Sequence, residues 1–130
     1  MSGRILLDTS VVIPHFRNES AVTERLQAAS VLLLPSIALG ELYTGAYRKI
    51  TRQQEALQTV EEFSSLTHIL RPDATTAMQY GRIRAELMQH GTPIPDNDIW
   101  IAAMSIQHQI PLANRDSHFD LITGLLQEKW

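Results

Sequence analysis

The chain has 130 residues, 44% of them hydrophobic and 19% charged, which suits one soluble domain long enough to bury a real core. It contains no cysteine, excluding a disulfide framework, a thiolate nucleophile and a zinc–thiolate site, and no apolar run approaches the ~18 residues of a membrane span. A net charge of −3 argues against holding nucleic acid by bulk positive potential, but not against an enzyme that acts on it through a local acidic site.

Short apolar segments alternate with helical ones, the pattern of βαβ units around a parallel sheet. Residues 4–7 read as the first strand. Asp8 interrupts it too early for a signal peptide, so cytoplasmic residence is the expectation. The next segment starts helical and is expected to break or kink at Pro14, which lacks a backbone donor. Residues 21–28 form a short helix and 31–34 a second strand. Ser36 stands where it would cap a helix over residues 37–49. Gln53–Ser65 follows as a helix with Ala56, Leu57, Val60 and Phe63 on its apolar stripe.

His68–Leu70 reads as the third strand. Asp73 caps a long helix whose apolar face uses Ala77, Tyr80, Ile83 and Leu87, and Gly91 stops it. A turn through Pro93 and Pro95 leads into a helix over residues 98–107. Residues 110–113 are the fourth strand, and 125–126 mark a short final one. No repeat or composition break divides the chain, so a single domain over residues 1–130 is expected.

Four acids stand at the ends of four apolar segments: Asp8, Glu41, Asp98 and Asp116. If those segments share one sheet, its carboxyl edge gathers them, because α/β sheets bind ligands at that edge. Two unit charges ~4 Å apart repel by roughly 4 kcal/mol at an effective dielectric near 20. A cluster of four therefore requires protons or a cation, and oxygen ligands select Mg²⁺ or Mn²⁺. Each acid also has a plainer reading. Asp8 suits a helix cap, with Thr9 able to brace it or to bind a metal-bound water. Glu41 could pair with Arg48, and Asp96 suits a capping role at the start of its helix. Asp98 opens a helix too apolar for the surface, and an acid pinned there needs a partner. Asp120 reads as a solvated helix residue, and His118, a lone histidine beside Phe119, as structural more readily than as a ligand. No paired histidine spacing or glycine-rich phosphate loop is present, which argues against a zinc hydrolase, an ATPase or a dinucleotide enzyme.

The segments Leu6-Leu7-Asp8-Thr9-Ser10, Ser36 through Glu41-Leu42 with Gly45-Ala46, Asn97-Asp98-Ile99-Trp100-Ile101-Ala102-Ala103 and Arg115-Asp116-Ser117-His118-Phe119 resemble those of PIN-domain proteins. More closely, they resemble the toxin ribonucleases of VapBC-type toxin–antitoxin pairs. The resemblance runs from about residue 4 to 126. It implies an α/β fold, a three-layer α/β/α sandwich with a central, mainly parallel sheet of four or five strands. It implies an endoribonuclease whose catalytic acids and metal ligands are Asp8, Glu41, Asp98 and Asp116, with Mg²⁺ or Mn²⁺ as cofactor. Asp8 and Asp98 would be the firmest ligands, Glu41 and Asp116 acting through water or a second ion. Thr9 matches the supporting hydroxyl position. Asn114 stands where family members often carry Thr or Ser, and keeps the polarity of that position. The resemblance also implies an RNA substrate, a small antitoxin that places a basic side chain in the acidic pocket, a homodimer and no membrane partner. Arg17 and Arg48 are the candidate phosphate contacts.

Alternatives remain at this level: an RNA-processing nuclease of the same fold outside a toxin–antitoxin pair, or a non-catalytic module that binds RNA or protein. Phosphoaspartyl chemistry and a receiver-type signalling domain are disfavoured. Ser10 stands where the former needs a second aspartate, and the only lysines are Lys49 and Lys129.

Overall fold

The computed structural model describes residues 3–130. Its strands are β1 (Arg4–Leu7), β2 (Val31–Pro35), β3 (His68–Leu70), β4 (Leu112–Asn114) and β5 (Gln127–Lys129). They form one sheet in the order β3-β2-β1-β4-β5, with every pairing parallel. The helices are α1 (Thr9–Phe16), α2 (Ser20–Ala28), α3 (Ser36–Tyr47), α4 (Gln53–Ser65), α5 (Ala74–Gln89) and α6 (Asp96–His108).

Residues with no polar alternation make the centre of this sheet. Ile5, Leu6 and Leu7 of β1 are all buried, as are Leu33 and Leu34 of β2 and Leu112 and Ala113 of β4. Strands covered on both faces read as continuous apolar runs. Leu6 pairs with Leu33 on one side and with Leu112 on the other. From β1 the chain steps outward through β2 to β3, then returns across the sheet to β4. Right-handed crossovers in opposite directions place helices on opposite faces, which gives the expected three layers. The reversal also opens a crevice between the carboxyl ends of β1 and β4, where open α/β sheets bind ligands. Among the described residues, no helix is long and apolar enough to cross a membrane.

Several boundaries differ from the sequence reading for local reasons. Pro14 neither ends nor interrupts α1, which continues to Phe16. Val11 and Val12, both fully buried, anchor the helix against the rest of the core, and the proline removes one backbone donor. Ser36 is the first residue of α3 rather than its cap: β2 extends to Pro35, which takes the cap position without a side-chain bond. Asp96 likewise lies inside α6 with Pro95 as cap, and its carboxylate accepts from the Tyr80 hydroxyl at 2.9 Å. The fourth strand begins only at Leu112, because Ile110 N–H donates back to Ser105 O and closes the preceding helix. The fifth strand comes at Gln127–Lys129, beyond residues 125–126.

On α5, Asp73 caps the helix as expected, through a reciprocal box with Thr76. Thr76 rather than Ala77 takes the inward place on this turn, fully buried and bonded to Asp73 and to Gln107 of α6. Gly91 ends the region with φ of 65°, a left-handed geometry suited to glycine.

Candidate active site

The carboxyl ends of β1 and β4 deliver Asp8 and Asp116 side by side. Asp8 N–H donates to Ala113 O at 3.1 Å, so the two chain exits are tied at the backbone. The Asp8 side chain is 3% exposed and serves as the cap of α1, accepting from Ser10 N–H at 3.1 Å and Ser10 Oγ at 2.6 Å. The bracing hydroxyl is thus Ser10, not Thr9. A side chain two residues beyond a capping aspartate is the one its carboxylate reaches. Ser10 Oγ also accepts from Arg115 N–H at 2.9 Å, so one hydroxyl links the first acid to the strand exit of the last. Arg115 itself is committed elsewhere, in a two-pronged pair with Glu19 at 2.7 and 3.0 Å.

Asp116 is positioned from below. Its N–H donates to Asn114 Oδ1 at 3.1 Å, and its carboxylate caps a short 3-10 helix (Ser117–Leu121) by accepting from His118 N–H at 2.9 Å. Asn114 is fully buried. Its Nδ2 donates to Gln127 Oε1 at 3.1 Å, and its Oδ1 accepts from Lys129 Nζ at 2.9 Å. Lys129 Nζ also donates to the Asp116 carbonyl at 3.1 Å and pairs with Asp120 at 3.0 Å. Asn114 therefore holds the β4–β5 edge and the backbone of Asp116. Asp120 is paired with a lysine rather than merely solvated.

Asp98 and Glu41 come from helices. Asp98 lies in the first turn of α6 and is buried, where the helix dipole favours its charge. Its Oδ2 faces His118 Nδ1 at 3.0 Å, and the same nitrogen lies 3.1 Å from Asp116 Oδ1. Glu41 is half-buried on α3; one of its oxygens, Oε1, is hidden from solvent without a hydrogen-bond partner. Its charge is answered by a hydrogen bond from the Asn97 side chain and repelled by Asp8, Asp98 and Asp116. The alternative pairing with Arg48, which is exposed, is not made.

All four sequence-nominated acids therefore stand within electrostatic reach of one another. Burial first, and then the neighbouring carboxylates, push the Asp8, Glu41 and Asp98 carboxyls above their ordinary range, against the opposing pull of their hydrogen bonds. The His118 imidazole is raised mainly by its bond to Asp98. These observations fit a divalent cation. A cation would relieve both the orphaned carboxylate oxygen and the crowded negative charge, and Asp98, Asp116 and His118 each offer a ligand atom, all within 4.8 Å of one another. A mainly oxygen donor set suits Mg²⁺ or Mn²⁺.

A pH dependence follows. A carboxyl raised in the folded state supports stability below its unfolded value and withdraws that support as pH rises through the folded value. Asp8→Asn removes this liability while keeping the side-chain shape. In metal-free buffer, the Tm of Asp8→Asn minus that of the unsubstituted protein should grow more positive from about pH 4 to about pH 7. A difference that stays flat with pH would refute the proposed strain at Asp8.

Beside Glu41, helices α1, α3 and α4 enclose a cavity of about 360 Å³, lined among others by Phe16, Arg17, Leu42, Lys49 and Val60. Arg17 thus sits at the approach to the acids, whereas Arg48 lies outside that lining. Four supporting groups escaped nomination as such from the sequence: Ser10, Asn97, His118 and Lys129. Only Ser10 carried a local signal, its place two residues after a strand-terminal aspartate.

Comparison with known proteins gives a consistent picture. The model of the PIN domain family matches residues 5–125. A tRNA(fMet)-specific endonuclease VapC of Shigella flexneri is 32% identical over 130 residues, covering 98% of each chain. A Ribonuclease VapC of Haemophilus influenzae matches equally, at 32% identity and 98% coverage of both. Among solved structures, DNA-bound VapBC from Salmonella typhimurium contains a chain that superposes with a TM-score of 0.90 at 29% identity, covering 100% of this chain and 99% of that one.

Proposed function

The chain belongs to the PIN-domain family, and from that premise we propose that it is a metal-dependent endoribonuclease, the toxin of a type II toxin–antitoxin pair. The observation that carries this reading is the convergence of Asp8, Glu41, Asp98 and Asp116 at the sheet's reversal point, with Glu41 Oε1 left unsatisfied. Relatives named ribonucleases and endonucleases support the activity, and VapBC complexes among the structural neighbours support an antitoxin partner. The proposal takes residues 1–130 as one nuclease domain, acting in the cytoplasm and forming a homodimer.

Asp8 and Asp98 would be the principal ligands for Mg²⁺ or Mn²⁺, with Glu41 and Asp116 completing the set. Bound there, a divalent cation supplies Lewis-acid stabilisation of phosphoryl charge and an activated water at neutral pH. The chain's own groups do the rest. Ser10, by bonding both Asp8 and Arg115, fixes the separation of the two strand exits. Asn114 and Lys129 hold the backbone that orients Asp116. The Glu41 oxygen that lacks a partner would accept a proton from attacking water. Arg17 is the nearer candidate for an RNA phosphate, and Arg48 a more distant one. An antitoxin that brought a basic side chain to these acids would neutralise the same charge and exclude substrate.

Incubating a mixed RNA pool with the purified protein tests this reading. Cleavage is expected with Mg²⁺ or Mn²⁺ and none with EDTA. Cleavage that persists in EDTA would overturn the metal dependence. Intact RNA, together with a Tm that Mn²⁺ does not raise, would favour a non-catalytic binding module.

A further inference from the structure

Among the described residues, His118 is the one histidine whose ring nitrogen is faced by carboxylates. His15 Nδ1 lies 2.8 Å from the Thr23 hydroxyl and His90 Nδ1 lies 2.9 Å from the Glu86 carbonyl, ordinary uncharged partners. His118 Nδ1 instead lies 3.0 Å from Asp98 Oδ2 and 3.1 Å from Asp116 Oδ1. On a six-coordinate cation with bonds of roughly 2.1 Å, neighbouring ligand atoms are separated by about 3.0 Å. The two separations match those of adjacent corners of such a shell.

The short 3-10 helix fixes this arrangement. Asp116 caps it and accepts from His118 N–H, while Phe119, the next residue, is fully buried in the core. The imidazole is thereby held over the acids by one residue tied to the site and another tied to the interior. Its side chain remains 45% exposed, which leaves the outer edge of the ring in contact with water.

We propose that His118 Nδ1 is a nitrogen ligand in this metal site, giving a mixed oxygen–nitrogen donor set rather than an all-carboxylate one. This inference rests on the metal-dependent reading above. Its consequence is selectivity: an imidazole nitrogen is a poorer ligand for Mg²⁺ than for Mn²⁺, and a better one still for later transition ions.

The test loads the full chain with Mn²⁺ alone and reads nitrogen-14 coupling to the ion by pulsed electron paramagnetic resonance, without any activity measurement. Coupling of a directly bound nitrogen is expected in the unsubstituted protein and should vanish in His118→Gln. Calorimetric titration should show Mn²⁺ binding weakened by about tenfold or more in that variant, and Mg²⁺ binding by less than about threefold. Bound Mn²⁺ without nitrogen coupling, or coupling that survives in His118→Gln, overturns the assignment while leaving the metal site standing. Failure of Mn²⁺ to bind at all would overturn the metal-dependent reading itself. The unsubstituted protein decides whether a nitrogen is bound at all, and the melting curve of His118→Gln shows that the variant is folded before its spectrum assigns that nitrogen.

Discussion

Asp98→Asn should reduce RNA cleavage by on the order of a thousandfold while leaving the protein folded. Asp98 is buried within the site: it lies in the first turn of α6, faces His118 Nδ1 at 3.0 Å, and is repelled by both Asp8 and Asp116. Asparagine preserves its shape and one oxygen but removes the charge that holds a cation. Burial and the neighbouring acids already disfavour ionisation of this carboxyl, so neutralising it relieves strain at neutral pH. The variant should therefore melt no lower than the unsubstituted protein without metal, and should lose most of the Tm gain produced by Mn²⁺. Cleavage rates and melting curves with and without Mn²⁺ check both halves. Cleavage within tenfold of the original would remove Asp98 from the mechanism.

The largest stability effect should come from Phe119→Ala. Phe119 is fully buried and belongs to the core, yet it sits one residue from His118 and three from Asp116. Truncating a buried phenylalanine costs about 3–5 kcal/mol, through lost apolar burial and the cavity left behind. A domain of this size has about 5–15 kcal/mol in all, so the variant should lose roughly 10–20 °C in Tm. Cleavage measured well below the new midpoint should also fall, because the 3-10 helix loses the anchor that fixes Asp116 and His118. Urea unfolding gives the stability change directly. A loss under about 1 kcal/mol would mean that the neighbouring chain collapses into the gap without cost.

Much of this was legible in the sequence because the signals were one-dimensional. Ile5-Leu6-Leu7 and Leu112-Ala113 are apolar without alternation, which marks strands covered on both faces. Asp73 and Gly91 bracket a helix with the usual start and stop chemistry. The four acids were legible because each follows or opens an apolar segment, and the parallel topology then brings them to one edge. What the sequence hid depends on register between distant segments. Nothing near Ser10 announces that Arg115 will donate to it, and nothing near Asn114 announces Lys129. The imidazole of His118 meets Asp98 only because a 3-10 helix, not predicted from the sequence, turns it back toward α6. Helix starts were misplaced by one residue after Pro35 and by two after Pro95, because a proline can occupy the cap position without a side-chain bond. The Glu41–Arg48 pairing failed because it judged a residue by its neighbours in the chain.

The two outer strands of the sheet constrain how the protein can meet other molecules. Both β3 and β5 are three residues long, and β5 carries Glu128 and Lys129. Short borders, one of them charged, are poor templates for another chain to extend a sheet by backbone pairing. A protein built this way resists fibre-like stacking even when it accumulates. A stable companion must instead gain its hold from side chains on the helical faces. Recognition is then written in side chains, which differ from one protein to the next, rather than in backbone groups common to all of them.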